Sequence, residues 1–157
     1  MAYAIVTKSN ILYQPRENIK TLLLTNLTDP TIQIYSKFPN MKDTGFKGFP
    51  FIVLPDADQK NIGDYHGTST YEFSDMIEGT VYHEGSKLGD NKLRTAKQDI
   101  INAVMGKANR KTLSGYGVKD LSIEFGRGGS EDYVIEDQMQ LYPAGFTISY
   151  NVEVNFG

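Results

Sequence analysis

The side chains best suited to catalysis or metal binding are concentrated in one polar stretch of the chain. Asp56, Asp58, Asp64 and His66 supply carboxylate and imidazole groups, which are ligand types for a divalent metal ion. A small metal-dependent hydrolase would have to be built from these four residues. The second histidine, His83, lies on a different predicted element, and neither histidine belongs to an H-x-x-x-H or H-E-x-x-H pair.

The same stretch fails the two fixed requirements of a calcium-binding EF-hand loop. With Asp56 in the first position, the sixth is Asn61 where such a loop needs glycine, and the twelfth is Gly67 where it needs glutamate. Residues 56–70 also show neither a helical nor a strand period. The pattern therefore favours a long solvated loop over a metal site.

Motifs for nucleophilic or phosphate chemistry are absent from the sequence. The chain has no cysteine, which excludes disulfides, zinc–thiolate sites and cysteine nucleophiles. It contains no G-x-S-x-G elbow and no Walker A loop, and the glycines at 115 and 117 lack the third glycine of a dinucleotide-binding turn. We predict that the protein is not an enzyme, and we expect neither a cofactor nor a bound metal.

Two pairs of adjacent acidic residues follow the glycines at 126–129. They are Glu131 with Asp132, and Glu136 with Asp137. Adjacent residues of a strand point to opposite faces, so neither pair can act jointly on one bond. We predict instead that these four carboxylates form a charged edge that contacts a neighbouring subunit or partner.

Charge is divided unevenly along the chain. The 157 residues carry a formal net charge of −3 with a pI of about 5.4, so the whole protein has no general attraction for nucleic acid. Residues 87–119 contain eight Lys/Arg against two Asp, a net of +6, whereas residues 120–157 contain seven acids against one arginine, a net of −6. Such segments can meet within one fold, meet between identical subunits, bind separate partners, or remain solvated.

The cations of the basic segment are candidate interface residues: Lys87, Lys92, Arg94, Lys97, Lys107, Arg110 and Lys111. Exposed charges are screened over about 8–10 Å at physiological salt and add little to the stability of one subunit. We therefore predict that this segment contacts either an acidic surface on a neighbour or DNA.

Hydrophobic spacing predicts two helices, six strands and two long connections. The helices are Pro15–Leu27 and Asn91–Met105; the strands are Thr31–Tyr35, Phe49–Pro55, Tyr71–Val81, Val118–Phe125, Tyr133–Leu141 and Phe146–Phe156; the connections are a loop at 56–70 and a linker at 106–117. This order favours one α+β domain over residues 1–157, with a mainly antiparallel sheet covered on one face by the two helices.

Two further expectations concern particular segments. Phe146–Phe156 alternates apolar and polar residues without a miss, so we expect the last strand to be central to the fold. In Tyr71–Val81 the alternation is interrupted only by Asp75. The densest apolar run, Leu22–Leu24, is far too short to span a membrane, and no membrane association is expected.

The order of elements resembles the tail terminator and tail-completion proteins of long-tailed bacteriophages. The similarity rests on the N-terminal helix at Pro15–Leu27 and the proline-flanked apolar strand Phe49–Pro55. It continues through Tyr71–Val81, the helix Asn91–Met105 and the closing segment that ends in Phe146–Phe156. It covers most of the chain and is architectural, with no short diagnostic motif.

The resemblance implies an α+β subunit that forms a ring, expected to be a hexamer, at the head-proximal end of the tail tube. Its implied partners are further copies of the chain, the tail tube protein and a head-connector or neck protein, with DNA passing through the lumen. It also implies synthesis in the host cytoplasm and a place in the virion tail or neck. Three alternatives stay open: a tail-tube subunit, a metal-dependent hydrolase, and a monomeric ligand-binding module.

Overall fold

The computed structural model describes residues 2–56, 58–61, 65–66, 69–84, 87–126, 134–136 and 139–157. Over these ranges the chain is an α+β protein with a mainly antiparallel sheet, which confirms the predicted fold class. The described helices number three rather than two: α1 (Gln14–Asn26), α2 (Lys87–Met105) and α3 (Lys107–Gly115). In the described part of the chain, no helix is long and apolar enough to cross a membrane.

The described residues form eight strands: β1 (Ile34–Tyr35), β2 (Phe51–Val53), β3 (Asp58–Asn61), β4 (Tyr65–His66), β5 (Thr70–His83), β6 (Val118–Phe125), β7 (Val134–Glu136) and β8 (Met139–Asn155). The order across the sheet is β1-β2-β5-β8-β6. In addition, β3 and β4 pair with β5, and β7 pairs with β8. The β1–β2 pair is parallel and the other pairs are antiparallel.

Strands β5 and β8 form the long central ladder of the sheet. Each residue of β5 has a partner in β8, from Thr70 opposite Asn155 to His83 opposite Tyr142. Even-numbered residues 144–154 of β8 are buried, while the residues between them lie on the other face. The last strand is therefore central, as its alternation predicts.

Pro143 and Gly145 lie inside β8, although the sequence predicts one strand that ends at Leu141 and another that begins at Phe146. Among the described residues, β7 pairs with β8 only as far as Leu141, and β6 pairs with it only from Phe146. Between these limits the described partner strand of β8 is β5, apart from one hydrogen bond in which Gly126 donates its N–H to the Gly145 carbonyl at 2.9 Å. Proline lacks the N–H that a second neighbouring strand would need as a donor. It is tolerated at position 143 because the described residues place no second strand beside it.

The main core lies between the helices and one face of the sheet, which we call the inner face. Buried helix residues include Ile19, Leu22 and Leu23 of α1, Leu93, Ala96, Ile100, Ala103 and Val104 of α2, and Leu113 of α3. Arg16 of α1 is 3% exposed and donates from Nε to the Leu54 carbonyl at 2.9 Å. This hydrogen bond ties α1 to the chain that leaves β2.

A second, aromatic cluster lies on the outer face of the sheet. Ile52 lies opposite the core residue Val81, so its neighbour Phe51, which lies opposite Tyr82, points away from the helices. Phe51 is fully buried and stacks on Tyr82 with 5.3 Å between ring centroids. Further rings surround Phe51: those of Tyr35, Phe38, Phe46 and Phe49. These contacts fasten residues 36–50 to the outer face.

Strand β6 contains a β-bulge. Lys119 lies opposite Asn151 and Ser122 lies opposite Ser149, so β6 has one residue more than β8 in this interval. Asp120, inside the bulge, has φ 55°, a left-handed conformation that aspartate adopts more readily than most residues. The extra residue keeps the apolar residues on both sides of the bulge directed toward the helices.

The stretch 56–70 is not the continuous loop that the sequence predicts. Strands β3 and β4 lie within it, and both pair antiparallel with β5. Their residues show no alternation of apolar and polar side chains, so the hydrophobic pattern does not predict either strand. Both strands form through their pairing with β5. Residues 57, 62–64 and 67–68 lie outside the described ranges.

Most of the linker predicted at 106–117 is helix α3. Gly106 donates its N–H to the Asn102 carbonyl at 3.0 Å, and its own carbonyl accepts the N–H of Arg110 at 2.9 Å. Lysine, alanine, arginine and leucine in this segment favour helix, and Leu113 is fully buried. The prediction of a linker was wrong because Gly106 separates two helices that follow each other without a loop.

Strand boundaries differ from prediction elsewhere as well. The strand predicted at Thr31–Tyr35 shortens to β1, the one at Phe49–Pro55 shortens to β2, and β5 extends beyond Tyr71–Val81 at both ends. The strand predicted at Tyr133–Leu141 combines β7 with the start of β8, and these two pair antiparallel. The apolar pattern runs through both strands, so it does not mark the change of direction.

The contact between Gly79 and Phe146 makes the central ladder intolerant of a larger side chain. These residues lie opposite each other, and a Cβ added at Gly79 would lie 2.6 Å from Cε2 of Phe146. We expect Gly79→Ala to lower the free energy of unfolding by about 1–3 kcal/mol, the usual cost of overpacking a core. Urea denaturation followed by circular dichroism measures it. Gly145→Ala is the control, since an added Cβ there meets no atom within 4 Å; equal destabilisation by both changes would contradict the contact.

Candidate interaction surfaces

Helix α3 carries an exposed set of cations, Lys107, Arg110 and Lys111, which we call the basic helix surface. The residues are three and four positions apart, so their side chains lie on one side of the helix. No acidic residue occurs in α3, and Lys107 occupies its first turn, where the helix dipole disfavours a cation. Like charges at this spacing repel each other, so the surface has an electrostatic cost within one subunit.

The cations of α2 are more closely tied to their own subunit. The Lys97 ammonium group lies 5.0 Å from the centroid of the Phe125 ring, within the range of a cation–π contact. Hydrogen bonds from Thr31, assisted by the charge of Lys92, lower the pKa of the Asp29 carboxyl group. Arg94 is exposed. Lys92 and Lys97 therefore have partners within the subunit, which weakens the prediction that they contact a neighbour.

The remaining predicted interface residues are not tested by the structure. Lys87 lies in α2 and Glu136 in β7, but their side chains are outside the described part of the chain. Glu131, Asp132 and Asp137 lie outside it altogether. The charged edge at these positions stays a prediction.

The outer face of the sheet carries an acidic surface that sequence reasoning did not identify. Strands β5, β6 and β8 place five acidic residues and one cation on it, and we call the group the acidic sheet face: Glu72, Glu78, Asp120, Glu124, Glu153 and Lys119. Five acids against one lysine give a net charge of −4. Because Glu78, Asp120, Glu124 and Glu153 are all exposed, this charge faces solvent.

The register of the strands arranges these acids in rows. Glu72 lies directly opposite Glu153, and like charges in this position repel each other. The Lys119 ammonium group lies 3.3 Å from a Glu153 carboxylate oxygen and offsets part of that repulsion. Glu78 and Glu124 flank Thr147 in a second row across the three strands.

A shallow groove of about 270 Å³ lies between the two acidic rows. Side chains join across it: Ser74 Oγ donates to Asn151 Oδ1 at 3.0 Å, and Asn151 Nδ2 donates to an Asp120 carboxylate oxygen at 3.0 Å. Met76 also lines the groove. The groove therefore combines uncharged polar groups and the Asp120 carboxylate with the apolar side chain of Met76.

Asp75 does not interrupt β5 but is part of the ladder, with its side chain buried on the inner face. It is 5% exposed, and the Tyr150 hydroxyl donates to its Oδ2 at 3.5 Å. Burial foremost, then the charge of Asp75 and this hydrogen bond, raise the pKa of Tyr150 well above its usual value. The apparent break in the alternation is thus a buried polar contact between the two central strands.

Of the four candidate metal ligands, the structure describes the side chain of Asp56 alone. Among the described residues, no group of three or more His, Asp or Glu side chains could hold a metal ion. His83 is buried, with its ring 5.3 Å from that of Tyr142. Asp56 is exposed at the end of β2, Asp64 lies outside the described residues, and the side chains of Asp58 and His66 do as well.

Comparison with known proteins shows likeness to solved structures, of which 27 chains match. No protein-family model and no curated protein matches the chain. Among solved structures, it is similar to a chain of a structure described as the virion of a native gene transfer agent (GTA) particle, with a TM-score of 0.51 and 14% sequence identity. The likeness covers 88% of this chain and 93% of that chain. At this identity it establishes a shared fold.

The buried contact between Tyr150 and Asp75 predicts how stability depends on alkaline pH. The raised pKa keeps Tyr150 protonated in the folded protein, whereas in the unfolded chain it ionises near its ordinary value of about 10. The contribution of the Tyr150 hydroxyl to the free energy of unfolding is therefore complete below about pH 10 and is lost as the pH rises further. Between about pH 9 and 11, the free energy of unfolding should fall more steeply for the unmodified protein than for Tyr150→Phe.

Urea denaturation at a series of pH values measures these slopes. Tyr13→Phe is the matched control, because Tyr13 is 53% exposed. Its slope should equal that of the unmodified protein. If Tyr150→Phe also leaves the slope unchanged, the buried hydroxyl does not cause the pH dependence.

Proposed function

We propose that the protein is a structural subunit of a phage-like virion. The observation that carries this proposal is the fold shared with a chain of a gene transfer agent virion, over nearly the full length of both chains. A subunit of a particle needs surfaces that bind its neighbours rather than a catalytic centre. The two charged surfaces of opposite sign are suited to that task.

Within such a particle, the role we assign is the ring that closes the head-proximal end of the tail tube and joins it to the head. The sequence resemblance to tail terminator proteins supports this assignment, and the elements on which it rests, the N-terminal helix, the apolar strand after it and the closing β-rich segment, are present in the structure. The partners would be further copies of the chain, most simply six in a ring, together with the tail tube protein and a connector or neck protein. The protein would then be located in the tail or neck of the virion.

The oligomeric state of the purified protein tests the ring. Size-exclusion chromatography with light scattering should give a discrete species of about six times the 17.6 kDa mass of one chain, and negative-stain electron microscopy should show closed rings. An open polymer of indefinite length would favour a tail-tube subunit instead. A protein that stays monomeric at every concentration and salt would contradict ring formation by the chain alone.

Deletion of the gene from the genome that encodes the particle tests the role in joining. We expect filled heads and separate tails, because the tail tube would lack the subunits that connect it to the head. Electron microscopy of lysates distinguishes these products, and expression of the chain from a plasmid should restore joined particles. Normal joined particles without the gene would contradict the proposed role.

A further inference from the structure

We propose that copies of this chain bind one another head-to-tail, with the basic helix surface of one copy on the acidic sheet face of the next. This inference rests on the proposed function, because it names the contact that would build the ring. The basic side consists of Lys107, Arg110 and Lys111, and the acidic side includes the row formed by Glu78 and Glu124.

The two surfaces lie on opposite sides of the same subunit. Helix α3 packs against the inner face of the sheet through Leu113, and its cations are exposed to solvent. The acidic residues lie on the outer face of the same sheet. A contact that joins unlike surfaces is heterologous. Repeated copies of such a contact form a closed ring when the rotations from one subunit to the next add up to one full turn.

Each surface carries an excess of one sign of charge among its own residues. The basic helix surface carries three cations with no acid in α3, and the acidic sheet face carries a net charge of −4. Both contain like charges, Lys107 with Lys111 on one side of the helix and Glu78 with Glu124 in one row of the sheet. Apposition of the surfaces would replace these repulsions with attraction, and it would also guide the approach of a second copy.

Both surfaces also combine charge with a less polar centre. Met105 is 45% exposed at the end of α2, directly before the helix that carries the cations. On the acidic sheet face, the groove between the acidic rows is lined by Met76 together with Ser74, Ser149 and Asp120. An exposed methionine beside cations, opposite a groove between carboxylates, is the arrangement of an interface with a less polar centre and a charged rim.

Charge reversal on each side, alone and combined, tests the contact. Arg110→Glu with Lys111→Glu should weaken assembly about tenfold or more in apparent dissociation constant, and Glu78→Lys with Glu124→Lys should do the same. The variant with all four changes should recover a large part of the loss, because the two reversed surfaces again attract. Light scattering over a concentration series measures assembly, and unfolding in urea confirms that each variant folds.

The matched control reverses two lysines that belong to neither surface, Lys8→Glu with Lys20→Glu, and so changes the net charge by the same amount as the α3 variant. It should assemble like the unmodified protein. If the α3 and β-sheet variants both form normal rings, the inferred contact is wrong while the ring itself stands. If each disrupts assembly but the four-fold variant recovers nothing, the surfaces do not face each other.

Two other outcomes also overturn the contact. Loss of DNA binding in a gel-shift assay by the α3 variant, with normal ring mass, would assign the basic helix surface to DNA. A monomeric unmodified protein contradicts the ring before any variant is compared, so failure of the proposed function is distinguishable from failure of this inference.

Discussion

The continuous pairing of β5 with β8 is the constraint on which the other elements depend. Side chains alternate along both strands, so one register places the apolar positions of the two strands on a common face, and a shift of one residue would exchange the faces. The helices can pack only on that apolar face. The contact of Gly79 with Phe146 and the buried pair Asp75 and Tyr150 both depend on this register, because each joins one residue of β5 to one of β8.

The same register that places apolar and polar side chains on different faces of the sheet also places charges of opposite sign on opposite sides of the molecule. Glu78 and Glu124 are far apart in the chain, yet β8 places them in one row. The cations of α3 lie on the other side of the molecule because α3 packs on the inner face through Leu113. One set of strand pairings therefore produces both the hydrophobic core and a subunit with two unlike surfaces.

Sequence patterns were sufficient where side-chain burial follows a simple period. The apolar residues of α2 and the alternation of β8 predict those elements, and Val118–Phe125 is predicted with its observed limits. Sequence patterns were insufficient where an element depends on a partner distant in the chain. Strands β3 and β4, for example, form because they pair with β5. The outward positions of Glu72, Glu78 and Glu153 follow from alternation, but the acidic sheet face requires the strand order, which local patterns do not contain.

The bulge in β6 also affects how the free subunit behaves in solution. Strand β6 ends the described sheet order, and an outermost strand invites pairing with another chain. An added strand needs an unbroken row of N–H and C=O groups, which the extra residue at Asp120 interrupts near the start of β6. Charged side chains at Lys119 and Glu124 oppose such growth further. The fold thus discourages indiscriminate aggregation through this edge of the sheet, while the basic helix surface and the acidic sheet face remain accessible.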